Sequence, residues 1–476
     1  MPNCIDETAT MTTSASRPLL TVVLAAGKGT RMKSAIPKVM HAVAGRSLLG
    51  HVLTTAAAAG STATAVVVGP EMPTVRAEVT MLAPTATLFD QTQQRGTADA
   101  VLAARAAIAA HNGDVLVVFA DSPLITAETI RRLVQALDRG AEVAVLGFHA
   151  KDPAGYGRLV TDGLLADGIA HLVAIREHKD ATTAERHIDF CNSGVMAFRT
   201  TNLLAVLDKI GTNNASGEFY LTDAIAIMRQ QGRRAVAVAG QEEEMLGVNT
   251  RAHLALAEGV FQRRARAHAM AEGATLIDPD TVWFAFDTHV GRDVLIEPNV
   301  FFGPGVSIGD GAVIHANSHI VGAFVAGNAK IGPFARLRPG ARIGEDAHIG
   351  NFVEVKNVDV GAGAKANHLA YLGDGRVGAK ANIGAGTIFC NYDGFFKHQT
   401  HIGAGAFIGS NSSLVAPVTI GDGAFVGSGS VITKNVEADA LSVARAVQET
   451  RPGWAAKFRT LMSNRKAARA KAEAQS

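Results

Sequence analysis

Two cations accompany a glycine-rich segment that could bind phosphate. Residues 24–32 read Leu-Ala-Ala-Gly-Lys-Gly-Thr-Arg-Met, and Lys38 follows shortly after. Small residues let a phosphate approach the backbone N–H groups, and Arg31 and Lys38 would neutralise its charge. The segment lacks the Walker spacing before a Lys-Ser/Thr pair, and Met32 stands where the dinucleotide-binding pattern needs its third glycine. We therefore predict a phosphate site of another kind, with an ordinary surface loop as the alternative.

A second pair of cations, Arg338 and Lys356, lies in a repetitive region. Each directly follows an aliphatic residue of a six-residue repeat, and the two are 18 residues apart. Eighteen residues make one coil of a three-sided β-helix, so the cations would lie on neighbouring coils about 4.8 Å apart. Two unit charges at that distance repel by roughly 3 kcal/mol at an effective dielectric constant near 20, and a bound phosphate would relieve the repulsion. The alternative is two solvated cations on a sheet face.

Candidate acid–base residues lie near two interruptions of this repeat. The period slips at residues 358–363 and breaks at residues 389–399, and we expect protruding loops at both places, because solenoid sites are often built on such loops. His368 follows the first interruption and could take a proton from an attacking amine; a purely structural histidine is the alternative. A cysteine nucleophile at Cys390 is disfavoured, since no histidine stands at recognisable spacing.

The repeat itself indicates the architecture of the second half. A period of six fits neither a helix nor a single strand. It fits a chain that coils as a triangular prism with one inward aliphatic side chain per face. We predict a parallel β-helix of hexapeptide repeats from about residue 278 to residue 436. The two phased runs are Ile331, Leu337, Ile343, Ile349 and Val355, and Ile402, Ile408, Leu414, Ile420 and Val426.

The first half must position the glycine-rich segment, and its apolar runs predict how. Buried strands are predicted at residues 19–24, 65–68, 115–119 and 143–146, with alanine-rich helical stretches around 41–58 and 98–110. This alternation predicts a doubly wound α/β sheet that binds ligands at the carboxyl ends of its strands. Residues 251–272 read as one linker helix, and we expect its cations, Arg263, Arg264 and Arg266, on a solvated face.

Length and composition limit the function classes. A chain of 476 residues suggests two or three domains, and 47% hydrophobic with 18% charged residues is typical of a globular protein. The net charge of +2 gives no argument for nucleic-acid binding, no apolar run predicts a membrane span, and three scattered cysteines suit a reducing cytoplasm. We expect residues 1–16 to form a disordered N-terminal extension and the basic tail at residues 465–471 to be disordered.

Further motifs follow in order and carry a resemblance to a known family. With the glycine-rich segment they are similar to nucleotidyltransferases that make nucleoside-diphosphate sugars. Joined to hexapeptide repeats, the set resembles the bifunctional N-acetylglucosamine-1-phosphate uridyltransferase/glucosamine-1-phosphate N-acetyltransferase family of bacterial cell-wall precursor synthesis. The motifs are Gln91 with Gly96-Thr97, Asp-Ser-Pro-Leu at 121–124, Gly-Tyr-Gly-Arg at 155–158, Glu-His-Lys-Asp at 177–180, Asn-Ser-Gly at 192–194 and Gly-Val-Asn at 247–249.

The resemblance implies a fold and two reactions. It implies a Rossmann-like uridyltransferase domain at residues 17–250, the linker helix at 251–272, and an acetyltransferase domain with a C-terminal tail at 273–476, the latter a left-handed parallel β-helix. Glucosamine-1-phosphate would be acetylated by acetyl-CoA. N-acetylglucosamine-1-phosphate would then receive UMP from UTP with release of pyrophosphate, and the UDP-N-acetylglucosamine would feed peptidoglycan and lipopolysaccharide synthesis. We expect a cytoplasmic homotrimer, with Trp454 packed against a neighbouring subunit.

The resemblance also assigns residues of the uridyltransferase by role. Arg31 and Lys38 would neutralise the transferred phosphoryl group, and Asp121 and Asn249 would bind Mg²⁺, since both offer hard oxygen ligands. No protein base is required, because the attacking sugar phosphate is already anionic. The other nucleotide- and sugar-binding residues would be Leu24, Ala25, Ala26, Gly27, Gln91, Gly96, Thr97, Gly157, Glu177 and Asn192.

In the acetyltransferase, the resemblance makes His368 the catalytic base that takes a proton from the glucosamine amine as it attacks the thioester. Asn391 and Tyr392 match contacts that the family makes to the sugar phosphate or to acetyl-CoA. The other sugar-phosphate contacts would be Arg338, Lys356, Tyr371 and Asn382, and the other acetyl-CoA contacts would be Ala385, Ser410, Ser428 and Arg445.

Two features depart from the family pattern. Phe119 and Ala120 precede Asp121 where Tyr-Gly is usual, so we expect an altered affinity, and the longer stretch between Gly157 and Glu177 predicts a surface hairpin. Two other function classes stay open at this point. One is a sugar-nucleotide pyrophosphorylase whose β-helix is only a scaffold, and the other is a non-catalytic binding protein with the same architecture.

Overall fold

Two compact units make up the part of the chain that the computed structural model describes, residues 17–164 and 166–474. The first unit comprises the described residues up to Glu272 together with Pro279–Thr288 and Phe302–Gly305. The second comprises Gly273–Asp278, His289–Phe301 and the described residues from Val306 onward. The predicted N-terminal extension, residues 1–16, lies outside the described residues.

The first unit is built around a mixed nine-stranded sheet. All four predicted strands are present, and the first three are parallel neighbours, rich in the β-branched residues that suit strands buried on both faces. Phe190–Arg199, which was not predicted, lies antiparallel to both of its neighbours. The last two strands form the predicted surface hairpin. In order across the sheet the strands are Thr87–Asp90, Ala63–Val68, Leu19–Leu24, Asp114–Phe119, Phe190–Arg199, Val143–His149, Ala235–Ala239, Ile169–Arg176 and Arg158–Leu164.

Helices cover both faces of this sheet, which confirms the doubly wound prediction. Because successive side chains of a strand point to opposite faces, Leu19 and Val23 lie in one apolar core and Leu20 and Val22 in the other. The α-helices are Leu48–Ala58, Pro73–Leu82, Thr97–Ala103, Arg105–Ala110, Ala127–Asp138, Leu203–Leu207, Asp223–Gln230 and Arg251–Ala271, and the 3₁₀ turns are Thr30–Met32, Lys38–Met40, Ala166–Gly168, Glu185–His187, Glu242–Met245 and Pro279–Thr281.

The last of these helices, Arg251–Ala271, occupies the segment for which the sequence predicts a linker helix. Of the three arginines that we expected on a solvated face, Arg263 is exposed, but Arg264 and Arg266 are not. Arg266 is 8% exposed and pairs with Asp280 at 2.9 Å, and Arg264 donates to a backbone carbonyl at 2.8 Å. The expectation fails because guanidinium groups can satisfy buried acceptors while their aliphatic stems pack against apolar neighbours.

The second unit is the left-handed parallel β-helix that the sequence predicts. Both predicted aliphatic runs are buried inside it. The first sheet consists of Thr275–Leu276, Leu295–Ile296, Val313–Ile314, Lys330–Ile331, His348–Asn351, Lys365–His368, Asn382–Ile383, Phe407–Ile408, Phe425–Val426 and Leu441–Ser442. The second contains His289–Val290, Ser307–Ile308, Phe324–Val325, Arg342–Ile343, Thr400–Ile402 and Val418–Ile420, and the third contains Phe301–Phe302, His319–Ile320, Arg336–Leu337, Ile388–Cys390, Ser413–Val415 and Val431–Ile432. Two longer strands, Glu354–Val360 and Tyr371–Val377, belong to both the second and the third sheet.

The two interruptions of the repeat have different outcomes. At residues 358–363 no loop protrudes, which corrects our expectation: the coil is one residue shorter, since Arg342 pairs with Asp359, and the chain continues as the strand Glu354–Val360. Omitting one residue removes the slack that a loop would need. At residues 389–399 the coil is seven residues longer than a regular one, since Gly375 pairs with Thr400, and the predicted loop is present.

The C-terminal segment is a helix, Trp454–Glu473, so the expectation of a disordered tail is wrong. Every residue of this helix is exposed. Alanine, arginine and lysine have high helix propensities, and an i,i+4 pair of Arg469 and Glu473 at 2.7 Å supports the last turn. Among the helices of residues 17–164 and 166–474, none combines the length and apolarity that crossing a membrane requires.

Candidate active sites

A cleft of about 350 Å³ opens where the strands Leu19–Leu24 and Asp114–Phe119 end, in the first unit. This is the position at which open α/β sheets bind ligands. The glutamine Gln94, which the sequence analysis missed, donates from its amide to the Ala26 carbonyl at 2.5 Å. Of the predicted residues, the cleft brings together Leu24, Ala25, Ala26, Gly27, Lys38, Gln91, Gly96, Thr97 and Asp121, and the further lining residues are Val39, Gln94, Ala100, Phe119 and Glu218.

Four predicted residues meet at the side of this cleft. The Lys38 ammonium donates to a carboxylate oxygen of Asp121 and, at 3.1 Å, to the Asn249 amide oxygen. Arg31 donates to the same amide oxygen at 3.0 Å. Two cations and two accepting oxygen atoms from distant segments therefore lie close together, although Arg31 and Asn249 are 218 residues apart in the chain.

Gly29 is required for this arrangement. It has a φ of +62°, and a β-carbon on it would lie 2.4 Å from the β-carbon of Lys38. Both the left-handed backbone and the close approach favour glycine. The glycine-rich segment thus admits the Lys38 side chain.

Gly96 and Thr97 are fixed by backbone contacts on the other side of the cleft. A β-carbon on Gly96, whose φ is +132°, would lie 2.4 Å from the Phe219 carbonyl oxygen. The Thr97 hydroxyl accepts from the Leu221 N–H at 2.9 Å. The segment around Phe219, which carried no recognisable signal, therefore supports this wall.

The predicted sugar contacts form a separate group outside the cleft lining. The Asn192 N–H donates to the Gly157 carbonyl at 2.8 Å, and a β-carbon on Gly157 would lie 3.3 Å from a Glu177 carboxylate oxygen. The Thr222 hydroxyl donates to Glu177 at 3.1 Å. Burial raises the pKa of the Glu177 carboxyl, and the Thr222 bond only partly offsets it. A carboxylate in this state is a strong acceptor for a hydroxyl-bearing ligand.

The two oxygen-bearing side chains that accept from Lys38, those of Asp121 and Asn249, also fit the ligand preferences of a divalent cation. The oxygens of Asp121 and Asn249 already converge on a positive group, the Lys38 ammonium. Carboxylate and amide oxygens are hard ligands, and Mg²⁺ keeps several waters, so two protein ligands suffice. No cluster of three or more His, Cys, Asp or Glu that could hold a metal occurs within residues 17–164 and 166–474.

In the second unit, His368 belongs to a column of residues on successive coils. Each column residue lies two positions after an inward-pointing residue of the first sheet. The backbone carbonyls of Asn351, His368, Ala385 and Ser410 each accept a hydrogen bond from a backbone N–H of the next coil. The column therefore places the predicted base beside predicted acetyl-CoA contacts that are up to 60 residues away in the chain. In order it consists of Asn351, His368, Ala385, Ser410 and Ser428.

Arg338 and Lys356 occupy neighbouring coils of the third sheet, as predicted: the Arg338 N–H donates to the Val355 carbonyl. Both cations have carboxylate partners that the sequence argument overlooked. Arg338 donates to Glu354 at 2.9 Å, and Lys356 donates to both oxygens of Asp374 at 3.2 Å. These carboxylates reduce the repulsion that the sequence predicts, so a phosphate site here would depend on a surplus of cations.

A third cation, Lys397, supplies that surplus. It belongs to the loop at residues 391–399, and the close positive charge of the Lys356 ammonium lowers the pKa of the Lys397 ammonium. Its position within a break of the repeat was the available signal, because loops on a rigid scaffold often carry sites. Arg338, Lys356 and Lys397 thus form a cationic group around Asp374 and Glu354.

Asp374 was also missed. It is 7% exposed and accepts from Lys356, from Asn357 at 2.9 Å and from Asn391 at 2.6 Å. Burial raises the pKa of this carboxyl, but the hydrogen bonds from Asn357, Lys356 and Asn391 outweigh it and lower the pKa overall. Asp374 therefore ties Lys356 to the root of the loop.

The other predicted residues surround these groups. Tyr371 begins the strand that follows His368. Its ring lies over Gly373, since a β-carbon built on that glycine would be 2.5 Å from the Tyr371 phenol oxygen. The Arg445 guanidinium donates to the Ser428 carbonyl at 2.9 Å, and the Tyr392 hydroxyl donates within its own loop. Asn382 points outward from the first sheet, in register with Lys365 rather than with His368.

Cys390 does not contact a base. Its thiol makes a long contact of 3.9 Å with the Ile388 carbonyl, and no histidine of the described chain lies within hydrogen-bond distance of it.

Fold and sites together define a class, a nucleotidyltransferase joined to a hexapeptide-repeat transferase. Comparison with protein families agrees with this division. The profile described as "MobA-like NTP transferase domain" matches residues 21–186. The profile "Bacterial transferase hexapeptide (six repeats)" matches residues 287–322, 322–357 and 399–434.

Curated relatives identify the family within this class. Proteins named "Bifunctional protein GlmU" are similar over nearly the whole chain: that of Azorhizobium caulinodans is 57% identical over 93% of this chain and 98% of its own. The protein of Xanthobacter autotrophicus is 56% identical over 94% of this chain and 99% of its own chain. The protein of Agrobacterium fabrum is 52% identical over 96% of this chain and 99% of its own chain. The chain belongs to the GlmU family and is a bifunctional enzyme, a nucleotidyltransferase and an acetyltransferase in one polypeptide. A solved structure of UDP-glucose pyrophosphorylase complexed with UDP-glucose is similar over 52% of this chain and 100% of its own chain, at 17% identity and a TM-score of 0.44.

Proposed function

We propose that the second unit acetylates glucosamine-1-phosphate with acetyl-CoA and that the first unit then transfers UMP from UTP to the product, releasing pyrophosphate and forming UDP-N-acetylglucosamine. The observation that carries this proposal is the column in which His368 is followed by Ala385, Ser410 and Ser428, together with the cations Arg338, Lys356 and Lys397 on the same β-helix. A β-helix that served only as a scaffold would need neither.

For acetyl transfer, the cations hold the phosphate and His368 takes a proton from the attacking amine. The amine forms a bond to the thioester carbonyl carbon, the carbon–sulfur bond breaks, and coenzyme A leaves as a thiolate that receives a proton. No acyl-enzyme is required, because the thioester is already activated. Tyr371, Asn382, Asn391 and Tyr392 would complete the sugar-phosphate and acetyl-CoA contacts, and Arg445 would contact the coenzyme.

For uridyl transfer, the oxygen of the sugar phosphate attacks the α-phosphorus of UTP and pyrophosphate leaves. Lys38 and Arg31 stabilise the charge on the transferred group, and Gln91, Gly96 and Thr97 hold the nucleotide. Mg²⁺, held by Asp121 and Asn249, would add positive charge at the phosphates. Gly157, Glu177 and Asn192 would orient the N-acetylated sugar.

We also propose a cytoplasmic homotrimer. Phe334 and Phe352 stack with ring centroids 5.1 Å apart on one corner of the β-helix, and they are 48% and 54% exposed, with Leu369 at 59% on the next coil. Such an exposed apolar row supports contact with another subunit. Light scattering should give three times the chain mass of 49.5 kDa, and a monomeric mass would refute the proposal. Packing of Trp454 against a neighbour remains part of this proposal.

One assay separates the three function classes. Purified protein is supplied with acetyl-CoA, glucosamine-1-phosphate, UTP and Mg²⁺, and free thiol and pyrophosphate are measured. Both products support the bifunctional enzyme. Pyrophosphate that appears only when N-acetylglucosamine-1-phosphate is added indicates a pyrophosphorylase on an inert scaffold, and neither product indicates a binding protein.

The role of His368 has its own test. His368→Ala should lower acetyl transfer by ~10²-fold or more, because a general base contributes roughly that factor. UTP-dependent pyrophosphate release from N-acetylglucosamine-1-phosphate should stay at the wild-type rate. Unchanged acetylation in this variant would overturn the assignment.

A further inference from the structure

Asn351 contacts the imidazole of His368 directly. The two residues are register partners on neighbouring coils of the first sheet, and the Leu369 N–H donates to the Asn351 carbonyl at 3.0 Å. The Asn351 amide oxygen lies 2.5 Å from His368 Nδ1. Nothing in the sequence motifs singled out Asn351.

We propose that Asn351 is a positioning residue that fixes the orientation and the tautomer of His368, an inference that rests on the proposed acetyl transfer. An amide oxygen can only accept, so Nδ1 must carry the proton. The lone pair then resides on Nε2, the nitrogen that takes the proton from the amine. The hydrogen bond thus selects the reactive form of the base before substrate binds.

The surroundings of His368 make this contact the main restraint on the ring. His368 is exposed, and Asn351 is the hydrogen-bond partner of its imidazole within the described chain. The other column residues, Ala385, Ser410 and Ser428, are too short to reach across a ring. Leu369, which follows His368, has a φ of +53° and is 59% exposed.

Two further histidines, His315 and His348, line the same pocket as His368, and His315 pairs with Glu297 at 2.9 Å. His348, on the strand of Asn351, interacts electrostatically with His368 and with Lys365, on the strand of His368. Tyr371 follows on the same coil. No carboxylate of the described residues lies within ion-pair distance of the imidazole. A neutral acceptor on Nδ1 therefore orients the ring without adding the negative charge that would hold a proton on Nε2.

Two substitutions separate orientation from charge. Asn351→Leu keeps the branching of the side chain at Cγ and removes the acceptor; kcat for acetyl transfer should fall about 10-fold or more, short of the loss in His368→Ala, with KM for both substrates little changed. Asn351→Asp keeps the acceptor and adds charge. It should retain more activity than Asn351→Leu, and the acidic limb of its pH–rate profile should move to higher pH, because a carboxylate stabilises the protonated imidazole.

Matched controls make the result specific. Asn435 is exposed and also accepts one hydrogen bond through its amide oxygen, from the Thr419 N–H at 2.9 Å on another face of the β-helix. Asn435→Leu should leave acetyl transfer unchanged. Uridyl transfer, assayed separately in every variant, reports on the integrity of the first unit, and Asn351→Ala replaces Asn351→Leu if the latter does not fold.

The outcomes distinguish this inference from the function on which it rests. Wild-type kcat in the folded Asn351→Leu variant, or an unshifted profile in Asn351→Asp with no more activity than Asn351→Leu, overturns the positioning role while His368→Ala is inactive. If His368→Ala is itself fully active, the acetyl-transfer proposal fails, and the positioning role fails with it.

Discussion

The ion pair of Lys356 and Asp374 allows the structural and the substrate-binding roles of one lysine to be separated. Lys356 donates to both Asp374 oxygens at 3.2 Å, and the two side chains are only 18% and 10% exposed. Replacing Lys356 by Met leaves the Asp374 charge with two amide donors, those of Asn357 and Asn391. Loss of one hydrogen bond to a charged group should lower the free energy of unfolding by about 1.5–3 kcal/mol.

Lys356→Met should also weaken phosphate binding. An ammonium about 4 Å from a phosphate charge contributes up to ~4 kcal/mol at an effective dielectric constant of 20. Partial exposure and the remaining cations, Arg338 and Lys397, reduce this. We expect a rise in KM for glucosamine-1-phosphate of about 10- to 100-fold, since a factor of ten corresponds to about 1.4 kcal/mol.

The double variant Lys356→Met/Asp374→Asn separates the two effects. It removes the uncompensated carboxylate, so calorimetry should show most of the stability restored, whereas KM for glucosamine-1-phosphate should stay high. Asp374→Asn alone controls for the loss of the carboxylate, and uridyl transfer should be unchanged throughout. If the folded double variant binds the sugar phosphate as the wild type does, Lys356 is not a phosphate ligand and its role is structural.

Two further predictions concern the glycine-rich segment and acid stability. Gly29→Ala should reduce UTP-dependent turnover by roughly tenfold or more, because a β-carbon at φ +62° would lie 2.4 Å from the Lys38 β-carbon and must displace that side chain; acetyl transfer should not change. Gly60→Ala, also at a positive φ but with nothing within 4 Å, is its control, and equal losses in both variants would mean that strain alone is responsible. The pKa of Asp374 is lowered in the fold, so its contribution to stability is present above the ordinary value of 3.8 and is lost as pH falls through the folded-state pKa below it. Urea unfolding between pH 6 and pH 3 should therefore show a shallower loss of stability in Asp374→Asn than in the wild type, and parallel curves would contradict this sign.

Much of the fold could be predicted because it follows from the short-range spacing of apolar residues. The strand Leu19–Leu24 and the inward residues of the β-helix follow from apolar patterning alone. The antiparallel strand Phe190–Arg199 could not be placed this way, because sheet order depends on pairings between distant segments. The helix Trp454–Glu473 differs from the expected disorder because the helix propensity of its alanine, arginine and lysine residues outweighs the effect of its charge.

The sites divide along the same line. The register of Arg338 and Lys356 followed from an 18-residue spacing, and the column through His368 could have been found by counting coils of 17, 25 and 18 residues. The carboxylates of Glu354 and Asp374 were missed, because an acidic residue on an outward face has no periodic signature that marks it as a partner. Lys397 was missed because it belongs to an insertion outside the repeat, so that no repeat spacing applies to it.

The central claim is that two independent sites act in turn on the same sugar phosphate, and reciprocal variants test it most directly. Glucosamine-1-phosphate, acetyl-CoA, UTP and Mg²⁺ are given to Lys38→Met and to His368→Ala, and thiol, pyrophosphate and both sugar products are measured. We predict that Lys38→Met accumulates N-acetylglucosamine-1-phosphate and free thiol without pyrophosphate. His368→Ala should release pyrophosphate only after N-acetylglucosamine-1-phosphate is added. Loss of both reactions from either folded variant when N-acetylglucosamine-1-phosphate is also supplied, or retention of both reactions, would contradict the claim.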